Sequence, residues 1–310
     1  MSTPVPGIDP GRLAAWCVEH LGSPPAAELF RSGNISAVIG LRLADDREVV
    51  VKVRPHSPRI AACVEVQRRM FDSGYPCPEP LSGPAALGDG TATAEAHVPG
   101  GAMLPAAERA PLLFAEAFAR LIKLAPSPAE VPSLDPAPAW AAWNYSGAGL
   151  WPRPDDVDVD LNSINGPGWI DRAGQCARDR LRTGASEAVI AHSDWLADNL
   201  RWRDDELLVV HDWDSMAADS EDVLVGFAAA LYSTVDPRRL ATVGETERFL
   251  DAYCDARGQP LSPDELQRSW AAGVWTRVFD AKCQHAVGQP VVSLTEDEAR
   301  ERLRRAGTGY

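Results

Sequence analysis

Residues 192–213 read "HSDWLADNLRWRDDELLVVHDW". The first eight residues hold a His, two carboxylates and an Asn, and the chain then passes through "ELLVV" to His211-Asp212. Asp and Asn side chains bond nearby backbone and tolerate left-handed conformations, so turn chemistry explains any one of them singly. Their spacing asks for more. "EAVIAHSD" and "ELLVVHDW" have the apolar, β-branched character of two short strands around a loop. If these strands join as a hairpin, Asp194, Asn199 and Asp212 converge on one point.

Phosphoryl transfer from a nucleoside triphosphate needs such a set. Magnesium takes hard oxygen ligands such as an Asn carbonyl and a carboxylate, and it neutralises phosphate charge. A separate carboxylate orients the attacking hydroxyl and accepts its proton. A cation is also needed on the phosphates, and "EVVVKV" (48–53) carries Lys52 inside a β-branched run. Taken alone, Lys52 reads more readily as a strand lysine whose ammonium snorkels to water.

The remaining pattern supplies two lobes. "GRLAAWCVEHLG" (11–22) has helical apolar spacing and ends in Gly, strands fill 28–55, and 57–74 reads as a helix with Ser57 as N-cap. A strand follows over 91–101. From "ERAPLLFAEAFARLIKLA" (108–125) the character turns helical. A Pro/Trp-rich segment (126–145), an acidic run "RPDDVDVDLNS" (153–163) and a helix (168–184) follow, with further helices from 222 to the end. The prediction is an α+β chain with a ligand cleft between lobes. A small β-rich lobe with one main helix spans 1–98 and a larger helical lobe 99–310. "SGNISAV" (32–38), with Gly33 and Ser36, suits a loop covering phosphates with backbone N–H groups; a hairpin turn explains it as well.

Composition narrows the partners. Lys+Arg 30 against Asp+Glu 44 leaves a net charge of −14, which repels nucleic acid and anionic membrane surfaces and attracts a cationic small molecule. The six cysteines are scattered singly with no C-x-x-C, which argues against a zinc cage and for reduced thiols in the cytoplasm. "MSTPVPGIDPGRLAAW" lacks the features of a secretory leader, and no apolar run reaches the ~18 residues of a membrane span.

With these residues in view, the chain resembles the aminoglycoside phosphotransferase family, which is related to the choline kinases and shares the protein-kinase-like fold. The carrying pattern is His-x-Asp-x-x-x-x-Asn (192–199), an apolar strand, then Asp-Trp-Asp (212–214). "EVVVKVRP" is similar to the strand bearing that family's phosphate-binding Lys, and "SGYPCPEP" to its G-x-P-x-P. "AEAHVPGG" is similar to its inter-lobe hinge strand, "FARLIKLA" to its first large-lobe helix and "ERFLDAYCDARG" to its late helix. The resemblance implies a bilobal kinase using ATP and Mg²⁺, with Asp194 as catalytic base, Asn199 and Asp212 as metal ligands and Lys52 on the phosphates. Glu65, on the helix after that strand, is the expected partner of Lys52. Glu95 and His97, in the hinge, join Gly33 and Ser36 as expected nucleotide contacts. His192 is expected to bond loop backbone rather than react.

Several positions depart from the family pattern. Ser193 stands where Gly is usual, "ADN" replaces the frequent "PGN" and adds Asp198 near the metal, His211 replaces an aliphatic residue, and Lys123 replaces a His. None removes a catalytic group.

Two other functions compete with the kinase. His192 and "HD" at 211–212 superficially resemble metal phosphohydrolases, which carry their ligands on helices; a helix over 205–212 would favour them. A nucleotide-binding pseudokinase is the third reading. The acceptor is expected to be a small molecule with a hydroxyl, probed by Trp140, Trp143, Trp151, Trp169, Trp270 and Trp275. Aromatic faces beside carboxylates suit an ammonium, although core packing explains any single Trp. An amino alcohol and an aminoglycoside both fit. The acidic run 155–160 reads as a solvated loop or as a lure for cations.

Overall fold

The computed structural model of the chain describes residues 8–33, 36–105, 107–184, 186–234 and 239–310. Five antiparallel strands form the small lobe's sheet: β1 (Pro25–Ser32), β2 (Ala37–Leu43), β3 (Glu48–Arg54), β4 (Ala85–Leu87) and β5 (Gly90–Ala96), in the order β1-β2-β3-β5-β4. Side chains alternate across a strand, and here the alternation separates two chemistries. Val49, Val51 and Val53 of β3 pack with Ala92 and Ala94 of β5 against Leu13, Trp16, Cys17 and Leu21 of helix α1 (Pro10–Leu21). The opposite face carries Lys52 and Arg54, paired in register with Thr93 and Thr91, and Glu95 opposite Val50. One strand thus buries its valines behind the sheet and aims its cations into the cleft.

Helix α1 has the predicted C-terminal end, and its start lies one residue before the predicted one. Asp9 accepts a hydrogen bond from the Arg12 N–H, Pro10 opens the helix, and Gly22 closes it at φ 76°, a left-handed conformation that glycine adopts without steric cost. Helix α2 (Ile60–Asp72) starts later than the sequence suggests. Its N-cap is Arg59, with no side-chain cap, and Ser57 only offers its carbonyl to the Ile60 N–H. Arg59 spans the lobes instead, donating to the carbonyls of Leu134, Asp214 and Met216.

The large lobe holds α3 (Ala110–Leu124), α4 (Gly168–Leu181), α5 (Glu221–Leu231), α6 (Val243–Arg257), α7 (Pro263–Ala286) and α8 (Glu296–Arg305). Residues 222–231 of α5 are all buried, and α5 crosses α7 so closely that a Cβ on Gly226 would lie 2.2 Å from the Ser269 carbonyl oxygen. The apolar face of α2 (Ala62, Cys63, Val66, Met70) joins this larger core. Among the described residues no helix is long and apolar enough to cross a membrane, and the six cysteines are free thiols. The architecture is the predicted one: α+β and bilobal, with a small sheet-rich part and a larger helical part.

Two predicted details change. The strands β6 (Ala188–His192) and β8 (Glu206–Val210) do not form a hairpin with each other. β6 pairs with β9 (Met216–Ser220), and β8 pairs with β7 (Leu200–Arg203). The region after 222 is also not helical throughout, since β10 (Ser233–Thr234) pairs with β11 (Arg239–Leu240).

Candidate active site

The two hairpins achieve the convergence that one was expected to make. Asp194 follows β6. Asn199 ends a single helical turn before β7, and Asp212 follows β8, with the His211 N–H donating to the Asn199 carbonyl at 2.7 Å. Asn199 Nδ2 donates to the Asp194 backbone oxygen at 2.8 Å and to its Oδ2 at 2.9 Å. Asp212 adopts φ 62°, a left-handed backbone that is strained for a residue with a side chain and is found at functional sites. Ser215 holds it there: its N–H donates to the Asp212 carbonyl at 3.0 Å and its hydroxyl to Oδ2 at 3.2 Å.

His192 takes the expected scaffold role. The Asp194 N–H donates to its Nδ1 at 3.2 Å, which leaves Nε2 as donor to the His211 carbonyl at 3.0 Å. Burial pushes its pKa down to about 4, so the neutral ring bonds backbone on both sides. Ser193, fully buried, donates its hydroxyl to the Ser215 carbonyl at 2.7 Å, so the departure from Gly adds a tie between β6 and the Asp212 loop. His211 is likewise neutral, lowered to about 4 by burial and then, against the pull of Glu95, by the charges of Lys52, Arg201 and His97.

Lys52 corrects one expectation. Its Nζ lies 3.2 Å from Glu95 Oε1 and 4.0 Å from Asp212 Oδ1. Glu65, the predicted partner, instead pairs with Arg69 at 2.8 Å and is 42% exposed. Helix periodicity explains the swap: Gln67 is two residues further, on nearly the opposite side of α2. Gln67 is the residue that enters the cluster, donating to Glu95 Oε2 at 3.0 Å. Burial opposes the Lys52 charge, yet Glu95, Asp214 and Asp212 together hold its pKa above the usual lysine value.

A cavity of about 490 Å³ brings Gly33 and Ser36 to the same wall system as Arg54, Asp212 and Asp214. A Cβ on Gly33 would lie 1.8 Å from the Ser36 carbonyl oxygen, so this turn requires glycine. Asn34 and Ile35 of the predicted phosphate loop lie outside the described residues. His97 follows β5, and its ring nitrogen meets Glu48 at 3.0 Å.

The carboxylates are crowded. Burial pushes the Asp194 pKa up to about 6 against the Asn199 hydrogen bond, and the charges of Asp198 and Asp214 add to the rise. Burial and then Asp214 raise Asp212. Burial acts the same way on Asp214, but Arg54 first and Lys52 next hold it below the usual carboxylate range; Arg54 Nη1 is 3.1 Å away. Among the described residues, the buried Asp214 Oδ1 has no hydrogen-bond partner.

A second cavity, of about 990 Å³, shares Trp140 and Asp212 with the first and is lined also by Asp194 and Asp280. Asp280, in the last third of α7, carries no motif and was not found by sequence reasoning. Of the six tryptophans proposed for the acceptor, Trp140 lines both cavities, its indole N–H donating to the Ser193 carbonyl at 3.2 Å. Trp151 and Trp275 stack in the core with centroids 5.4 Å apart, and Trp270 lies under the guanidinium groups of Arg302 and Arg305. The acidic run divides too. Asp160 caps its own turn, Asp155 lines the smaller cavity, and the charge of Asp156 reaches Asp280.

His211-Asp212 closes a strand rather than a helix, and among the described residues no group of three or more His, Cys, Asp or Glu is placed to hold a metal by itself. The first of these facts, the strand, weighs against the phosphohydrolase reading.

No family model matches the chain, and no curated protein matches it in sequence. Solved structures do match. Amicoumacin kinase hAmiN, solved with AMP-PNP, Ca²⁺ and Ami, is 12% identical with a TM-score of 0.62, covering 96% of this chain and 93% of its own. Spectinomycin phosphotransferase, solved with ADP and spectinomycin, is 12% identical with a TM-score of 0.58, covering 97% and 94%. A choline/ethanolamine kinase family protein from Mesorhizobium loti is 14% identical with a TM-score of 0.54, covering 96% and 92%. These likenesses establish the fold over nearly the whole chain: it is the fold of small-molecule phosphotransferases of the aminoglycoside and choline/ethanolamine kinase type, as the sequence motifs suggest.

Proposed function

We propose that the chain is an ATP-dependent kinase that transfers the γ-phosphoryl group to a hydroxyl of an amine-bearing small molecule. The observation that carries the reading is the meeting of Asp194, Asn199, Asp212 and Lys52 at one place between the lobes. Lys52, charged and held by Glu95, is the cation for the phosphates, and Gly33 and Ser36 are their backbone cover. Asn199 and Asp212 would hold Mg²⁺. Their oxygens are the hard donors this ion prefers, and the Asp212 carboxyl, pushed up by its surroundings and by the charge of Asp214 against the pull of Lys52, would be relieved by a cation there. When bound, such an ion neutralises phosphate charge.

Asp194 orients the acceptor hydroxyl and takes its proton as the oxygen attacks the γ-phosphorus and the bond to the β-phosphate oxygen breaks. Its raised pKa makes it a better base than an ordinary carboxylate. An amine on the acceptor suits Asp280 and the Trp140 face in the larger cavity, and the net charge of −14 draws cations toward it. Use of ATP and six free thiols suit the cytoplasm.

The test is Asp194→Asn assayed against a panel of hydroxyl acceptors. Turnover should fall by about a thousandfold while AMP-PNP affinity is retained. Unchanged turnover refutes the role of Asp194, and ATP consumption that no acceptor stimulates favours the pseudokinase.

A further inference from the structure

Strand β3 and the Asp-Trp-Asp loop meet as a ladder of two rungs across the cleft. Lys52 and Arg54 stand two residues apart, on the face that strand alternation turns toward the cleft. Asp212 and Asp214 stand two residues apart in the loop opposite. Lys52 Nζ lies 4.0 Å from Asp212 Oδ1, and Arg54 Nη1 lies 3.1 Å from Asp214 Oδ2. The residues between the rungs sit in separate cores. Val53 is buried in the small-lobe core. Trp213 is buried in the larger core, its indole N–H donating to the Val210 carbonyl at 2.8 Å. Each side of the ladder is thus pinned to its own lobe.

The second rung is the more firmly held. Arg54 is buried, and its Nη2 donates to the Thr93 hydroxyl at 3.0 Å, which fixes the guanidinium to β5. Arg59 donates to the Asp214 carbonyl at 2.6 Å. The small lobe therefore grips Asp214 at its carboxylate and at its carbonyl. Two residues earlier, Asp212 has its left-handed backbone at φ 62°, a conformation that persists only where the surroundings hold it. Ser215 holds it from within the loop. Arg54 reaches the same loop from the other lobe.

We infer that Arg54 is a positioning residue for the metal site: through Asp214 it keeps the loop in the shape that aims Asp212 at the ion. The inference rests on the kinase reading and adds to it a residue that acts through another. A planar guanidinium suits the task, since it meets a carboxylate and a hydroxyl at once from fixed directions. Partners of this kind orient the groups that bind a metal and tune its affinity. A bridge that merely joined the lobes would change stability and leave that affinity alone.

The experiment uses the full chain in excess over AMP-PNP, with Mn²⁺ as the probe ion. Free Mn²⁺ is read by electron paramagnetic resonance and folding by urea unfolding. Wild type is compared with Arg54→Met, Arg54→Lys, Asp214→Asn and the double variant Arg54→Met/Asp214→Asn. Arg54→Met should raise the Kd for Mn²⁺ in the AMP-PNP complex about 30-fold, as loss of such a partner does, and Arg54→Lys should recover part of it. Both residues act through one contact, so the double variant should bind Mn²⁺ no more weakly than the weaker single variant. An unchanged Kd in Arg54→Met overturns the inference. So does an Arg54→Lys that binds no better than Arg54→Met, or single-variant effects that multiply in the double. Should Arg54→Met not fold, Thr93→Val decides. This isosteric change removes only the anchor of Nη2 and should raise the Kd about threefold; a wild-type Kd there overturns the inference. A wild-type chain that does not bind AMP-PNP with Mn²⁺ overturns the kinase reading and this inference together.

Discussion

Lys52 and Glu95 meet across neighbouring strands, Nζ to Oε1 at 3.2 Å, so the cation proposed for the phosphates is held by the sheet rather than by helix α2. Both side chains are buried to the same degree, 8% exposed each. The pair therefore keeps its geometry whether or not α2 shifts, and α2 contributes only the Gln67 amide behind it.

This arrangement separates two glutamates by function. Glu95→Gln leaves a buried ammonium with one less counter-charge, a change that costs about 3 kcal/mol or more when a buried pair is broken. kcat/KM for ATP should fall by about 100-fold. Glu65→Gln touches only an exposed pair with Arg69, worth under about 1 kcal/mol, and should leave ATP kinetics near wild type. Steady-state kinetics of the two variants decides between them; equal effects would assign the Lys52 partner wrongly.

As the proposed base, Asp194, its carboxyl raised to about 6 by burial, should set the acid limb of activity. Below that pH the group is protonated and cannot accept the acceptor's proton, so kcat/KM should fall about tenfold per pH unit on the acid side and level off above it. A divalent ion at Asn199 and Asp212 favours the ionised form and moves the midpoint to lower pH. A profile measured from pH 5 to 8 at two metal concentrations checks both statements. Activity that rises on acidification would contradict a carboxylate base.

The crossing of α5 and α7 depends on the missing side chain of Gly226. A methyl there meets the Ser269 carbonyl at 2.2 Å, a backbone atom that cannot swing aside. Gly226→Ala should destabilise the large lobe by about 2–3 kcal/mol through overpacking, seen as a lower midpoint in urea unfolding. Gly74→Ala, where no atom lies within 4 Å of the added Cβ, is strained by its φ of 76° alone and should cost about 1 kcal/mol.

Much of the site was legible before any coordinates. The "EVVVKVR" alternation puts Lys52 on the face opposite the valines, because a strand has a period of two. The spacing of Asp194, Asn199 and Asp212 marks a loop and a strand end. Gly22 ends its helix where the pattern says it should. These features are local: each follows from backbone geometry and the residue's own chemistry.

Tertiary packing decided the rest. β6 takes β9 rather than β8 as its partner, because short apolar strands carry little information about which neighbour completes their burial. Glu65 lost to Glu95 as the partner of Lys52 because the packing of α2 turns Gln67 rather than Glu65 inward. Asp280 has no motif at all. It became a candidate only when α7 set its carboxylate beside Asp194 in a shared cavity, a proximity between distant parts of the chain that no periodicity encodes. Period and turn chemistry act over a few residues, whereas the meeting of side chains far apart in sequence depends on how whole elements pack.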